Sequence, residues 1–143
     1  MATDKLELTR QMIDSFGKDM DFFYSNTHND IVLDFPFAQS NGFPTTVKGI
    51  DKVKPHFASV ITILEGWRPR DIQVFPFADP DMFLIRYRGT CTGRFGPYEQ
   101  QYVTMVRYQD DKLVLFREFW DTLQFERAWG DAKEAEAAAR ETA

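Results

Sequence analysis

The sequence predicts an α+β domain in which N-terminal helices come first and a curved antiparallel sheet is cupped around them into a cone. Three observations carry that expectation. Apolar residues recur at helical spacing in residues 4–25 and again in residues 51–65. Three long extended segments, RDIQVFPFADPD, MFLIRYRGTCTGRF and YEQQYVTMVRYQDD, then follow one another with turns at DPD, RFGP and QDDK, a pattern that favours hairpins over parallel crossovers. Finally, 143 residues with 43% hydrophobic content can enclose one sizeable core, whereas two independent domains would each be marginal.

In the first helical region Ile13, Phe16, Met20, Phe23 and Tyr24 keep the spacing, but Gly17 interrupts it and Asp19 can cap a fresh turn, which predicts one long helix and one short one. THND closes the helical part. IVLDFPF, residues 31–37, reads as a strand that Pro36 confines to an edge or a bulge, and SNGFPTTVKG turns into a second short extended piece. The next helix carries the stripe Val53, Phe57, Val60, Ile61 and Leu64. Pro55 fits near its first turn, where an N–H is not needed, so His56 is expected close to the helix N-terminus. After the last strand a short helix runs through Trp129, with Gly130 as its C-cap. DAKEAEAAARETA has helix propensity without an apolar stripe. The domain is expected over residues 1–130, with residues 131–143 a solvated, frayed tail.

Composition narrows the function. The aromatic share is 15%, with 14 Phe against 8 Gly and 7 Pro, which excludes a low-complexity chain and leaves the rings to fill a core or line an apolar pocket. Seventeen basic residues against 22 acidic ones, a net charge of -5 and no basic cluster argue against a nucleic-acid partner. Cys91 is the single cysteine, the chain starts without a basic end followed by an apolar stretch, and no 18-residue apolar run occurs; the expectation is a soluble cytoplasmic protein with no membrane partner. Two histidines without close His/Cys spacing, and no Gly-rich phosphate loop, point to chemistry without metal or cofactor.

One stretch bears directly on chemistry. KLVLFREFWDTLQFERAWG, residues 112–130, is strongly apolar yet carries Arg117, Glu118 and Asp121. Strand alternation puts Val114, Phe116, Glu118 and Trp120 on one face and Leu113, Leu115, Arg117, Phe119 and Asp121 on the other. Each carboxylate must therefore reach solvent, find a partner or take up a proton, because an unpaired buried charge costs several kcal/mol, roughly.

The element order, with GKDMDFFYSNTHNDIVLDFPF near the start and REFWDTLQFERAWG near the end, resembles the SnoaL-like branch of the nuclear transport factor 2-like superfamily over roughly residues 5–130. A narrower resemblance, to phenazine-biosynthesis A/B-type proteins, rests on KGIDKVKPHFAS, DPDMFLIR, PYEQQY and DDKLVLFREFWD, in that order. It implies a pocket glutamate, a histidine and an assisting tyrosine, which fall on Glu118, His56 and Tyr98. Two departures bear on substrate: the connection before Tyr98 looks shorter than in those proteins, and Val60 stands where they carry a hydroxyl.

The function expected is a cofactor-independent acid/base enzyme, a lyase, dehydratase or isomerase, acting on a small hydrophobic, aromatic or cyclic molecule. The alternatives are a phenazine-type condensation catalyst, a non-catalytic carrier of hydrophobic ligands, and an accessory interaction domain. Trp120, Phe116, Val60, Tyr24 and Asp121 are candidates for the pocket wall, although Asp121 also suits the N-cap of the helix that follows it. His56 is either a base or a satisfied histidine, and Tyr98 either a pocket group or a strand-end aromatic. A homodimer is expected through the outer sheet face, where Arg86, Arg88, Arg117, Leu84 and Leu115 mix charge with apolar surface.

Overall fold

The structure is a computed structural model describing residues 4–142, so the outermost residues of the expected domain and tail lie outside the described residues. Helix α1 (Lys5–Ser15) starts where the Asp4 carboxylate accepts the Glu7 N–H, and α2 (Met20–Ser25) where Asp19 accepts the Phe22 N–H. Gly17, at φ 77°, makes the break between them. Next come β1 (Thr27–Asp34), a 3₁₀ turn (Ala38–Asn41), β2 (Thr46–Lys48) and α3 (Ile50–Ile63). Four strands then form a meander: β3 (Arg68–Pro76), β4 (Met82–Thr92), β5 (Pro97–Gln109) and β6 (Lys112–Trp120). Two helices, α4 (Thr122–Trp129) and α5 (Ala132–Thr142), complete the described chain. No helix among the described residues is long and apolar enough to cross a membrane.

The six strands make one open, curved sheet in the order β2-β1-β6-β5-β4-β3. Its concave face holds the core. Along β5, Tyr98, Gln100, Tyr102, Thr104, Val106 and Tyr108 are buried, whereas Glu99, Gln101, Val103 and Arg107 are exposed, the two-residue period of a sheet with one wet face. The β5–β6 turn uses Asp110 and Asp111 at φ 53° and 61°, the left-handed pair a tight hairpin needs.

Several local expectations are corrected. The meander is antiparallel throughout, but β1 pairs with β6 in parallel, Leu33 opposite Phe116 and Asp34 opposite Arg117. That arrangement is open to β1 because α3 and four strands separate it from β6, ample length for a crossover. THND belongs to β1 rather than closing the helical part, and Pro36 lies beyond the strand's end, so β1 sits between β2 and β6 without losing a ladder bond. Helix α3 begins at Ile50, which moves Pro55 to the second turn and His56 past the reach of the helix N-terminus. In β6 the register with β5 shifts between Arg107 and Tyr108, which leaves Val114 unpaired between Leu113 and Leu115. This bulge turns Leu113, 1% exposed, to the concave face in place of Val114. The segment expected as a solvated tail forms α5, whose Ala132 and Ala135 are buried and whose Ala139 packs on the core. Its inner stripe is made of methyl groups, too small for the sequence pattern to read as apolar.

Candidate active site

Between α1, α3 and the concave face lies a cavity of about 810 Å³ of space unoccupied by protein atoms, its mouth included. The inward residues of β6, Phe116, Glu118 and Trp120, form part of its wall, and His56 and Val60 face it from α3. Tyr98 and Tyr102 from β5, Tyr87 from β4 and Trp67 from the turn before β3 enclose it further. The three expected catalytic residues therefore line one cavity, with Phe116, Val60 and Trp120.

Glu118 sits at a polar spot in this apolar wall. The Tyr87 hydroxyl donates to its Oε2 at 2.7 Å, and the Thr104 hydroxyl donates to the same oxygen at 3.4 Å. Thr104 lies directly across the ladder from Glu118, and Tyr87 across from Tyr102 one strand further. No lysine or arginine pairs with the carboxylate among the described residues. Burial penalises its charged form more than the two hydroxyls favour it, which raises its pKa from 4.5 to about 7. The group therefore populates both protonation states near neutral pH. Arg117, the next residue, points away and holds Asp34 on β1 at 2.7 Å.

His56 stacks on Phe35, centroids 5.6 Å apart, and has no hydrogen-bond partner on its ring among the described residues. Burial lowers its pKa, which favours the neutral imidazole. Tyr98 is 2% exposed; its hydroxyl accepts from Gln100 Nε2 at 3.0 Å and lies 3.4 Å from that of Tyr102. Burial pushes its pKa upward. Gln100 also clamps the end of β6, donating to the Asp121 carbonyl at 2.8 Å and accepting the Asp121 N–H at 3.0 Å. Trp120 is held by a bond from its indole N–H to Asn41 Oδ1 at 2.9 Å.

Two expected wall residues lie elsewhere. Asp121 caps α4, accepting the N–H groups of Leu123 and Gln124 at 3.0 and 3.4 Å; the bulge that would have turned it inward is at Val114 instead. Tyr24 is outside the cavity, under the Lys54 ammonium at 5.1 Å, because Phe23 takes the inward position of the short α2 helix. Four further polar residues at the site, Tyr87, Tyr102, Thr104 and Gln100, are not singled out by the sequence pattern. Counting back from the Asp110–Asp111 turn without a bulge places outward-facing Val103 opposite Glu118; the extra residue at Val114 makes it Thr104.

No family model matches the chain. An uncharacterised PhzA/B-like protein of Pseudomonas aeruginosa is 31% identical over 113 residues, covering 76% of this chain and 77% of that one. Among solved structures, a protein of unknown function from Burkholderia pseudomallei described as nuclear transport factor 2-like has a TM-score of 0.76 at 18% identity, over 89% of this chain and 98% of that one. TerC, co-crystallised with polyporic acid, has a TM-score of 0.74 at 20% identity, over 88% and 98%. On the strength of the Pseudomonas relative, this chain belongs to the PhzA/B-like proteins, and its fold is the cone of the nuclear transport factor 2-like structures.

Proposed function

We propose that the protein is a cofactor-independent acid/base enzyme, a lyase, dehydratase or isomerase, for a small hydrophobic ring compound. The observation that carries this reading is Glu118: a carboxyl held by two hydroxyls and no cation, facing an apolar cavity, with a pKa of about 7. In its charged form it takes a proton from a carbon next to a carbonyl or ring; in its neutral form it returns a proton to a departing hydroxyl or a neighbouring carbon. Neutral His56, with a free ring edge, holds and polarises the substrate's oxygen. Tyr98 assists from the far side of the Tyr98–Tyr102–Gln100 cluster. The rings around this polar spot supply binding area for an aromatic or cyclic skeleton, and the co-crystallisation of TerC, a protein of the same fold, with polyporic acid supports a small-molecule ligand.

A carrier would be favoured by a lone carboxylate paired to an arginine, and an accessory module by a filled cone. The cavity shared by Glu118, His56 and Tyr98 supports the enzyme reading over both. Family membership favours one second reading, a phenazine-type condensation using the same groups, in which apolar Val60 would face the substrate one turn after His56. Screening ring alcohols, hydroxyketones and unsaturated ketones for elimination, isomerisation or condensation tests the proposal. Turnover abolished by Glu118→Gln supports it; tight binding of such compounds with no conversion in any of these reactions assigns the protein as a carrier. We also propose the homodimer through the outer sheet face, supported by Arg86 and Arg88, both exposed and without an ion-pair partner among the described residues, beside Val103 at 38% exposure.

A further inference from the structure

We infer that the cavity selects ring compounds of no net charge, bearing a hydroxyl or carbonyl group, and rejects the carboxylates of the same skeleton when they are small enough to be enclosed. This rests on the acid/base reading for which group meets the substrate, and it deepens that reading by setting the substrate's charge. Its basis is the inventory of the wall. Of the residues lining the cavity, none is lysine or arginine. The polar groups that face Glu118 are His56 from α3, Tyr87 from β4, and Tyr98, Tyr102 and Thr104 from β5.

None of these supplies a positive charge. His56 sits against Phe35 and Phe57 without an acidic partner to hold a proton on it, and burial disfavours its charged form. The groups just behind the wall, Asn41 and Gln100, are neutral and already bonded to Trp120, Tyr98 and the backbone of Asp121. An enclosed carboxylate would thus lose its hydration without gaining a cation and would also face Glu118. A hydroxyl or carbonyl asks only for a hydrogen-bond partner, which His56 and protonated Glu118 can provide. Hydrocarbon contact with the rings is the same in both cases, so charge alone separates the pair.

The test is binding, which is independent of turnover. Acetophenone, benzyl alcohol and benzoate are titrated against the full-length protein by calorimetry at pH 8.5 and pH 5.5. At pH 8.5 the two neutral compounds should bind at least ~10-fold more tightly than benzoate, the cost of an uncompensated buried charge. At pH 5.5, with Glu118 protonated, the gap should narrow, and in Glu118→Gln it should be narrow at both pH values. Val60→Lys, which places an ammonium in the wall, should raise benzoate affinity without raising that of acetophenone. Benzoate binding as tightly as acetophenone to wild type at pH 8.5, or neither neutral compound binding, overturns the inference. Selective binding of neutral rings without turnover of any ring alcohol or ketone would sink the proposed reaction and leave the selectivity standing.

Discussion

Glu118 is governed by two opposed contributions: removal from water, which favours its neutral form, and hydrogen bonds from Tyr87 and Thr104, which favour the charged one. Burial wins, and the consequences are specific. Glu118→Gln keeps shape and hydrogen bonding but cannot transfer a proton, so turnover of a substrate should fall ~10²–10⁴-fold while affinity for a neutral ligand changes far less. His56→Ala and Tyr98→Phe should each cost less, since water can partly replace an orienting group. The same carboxyl links stability to pH. Its folded pKa of about 7 lies above the ordinary 4.5, so the native state holds the proton more tightly. That contribution is fully present below about pH 4.5 and is lost as pH rises through about 7. Thermal unfolding at pH 5 and pH 8 should therefore show wild type losing stability relative to Glu118→Gln, by on the order of 3 kcal/mol at most.

At the scale of elements, two local features, a glycine in β4 and a bulge in β6, set what packs on the concave face. Gly89 is buried on the concave face, and a Cβ there would stand 2.0 Å from Trp67 Nε1; the indole lies against bare backbone and forms part of the cavity wall. Gly89→Ala should therefore push Trp67 into the cavity, costing ~1–3 kcal/mol from overpacking and weakening ring binding, both readable by denaturant titration and calorimetry. The bulge at Val114 sets which side chains meet across β5 and β6, and it marks the boundary of what the sequence shows. Helix caps at Asp19 and Asp121, the hairpin turns and the inward side of Phe116, Glu118 and Trp120 are local patterns and can be read directly. The partners of Glu118 come from β4 and β5 and depend on register, which one inserted residue changes. For the same reason Tyr87 and Thr104 were out of reach, and the parallel β1–β6 pair leaves no mark in either segment.

At the scale of the molecule, the sheet has two faces with different chemistry. The concave side surrounds the cavity; the outer side presents Arg86 and Arg88 beside Val103, with Arg117 held by Asp34. If that face joins two copies, wild type should sediment as a dimer at micromolar concentration. Val103→Arg, which adds a charge directly across the ladder from Arg86, should then shift it to monomer with ring binding in the cone retained; a wild-type monomer would contradict the dimer. On the concave face the protonation of Glu118 can be read without any substrate. In protein labelled with carboxyl-¹³C glutamate, the NMR signal missing from Glu118→Gln identifies Glu118, and its pH titration reads the proton directly. Burial of Glu118 predicts a midpoint near 7 that moves higher in Tyr87→Phe, where the shortest hydrogen bond to the charged form is gone. A midpoint at the ordinary carboxylate value of 4.5, unmoved by loss of Tyr87, would contradict it.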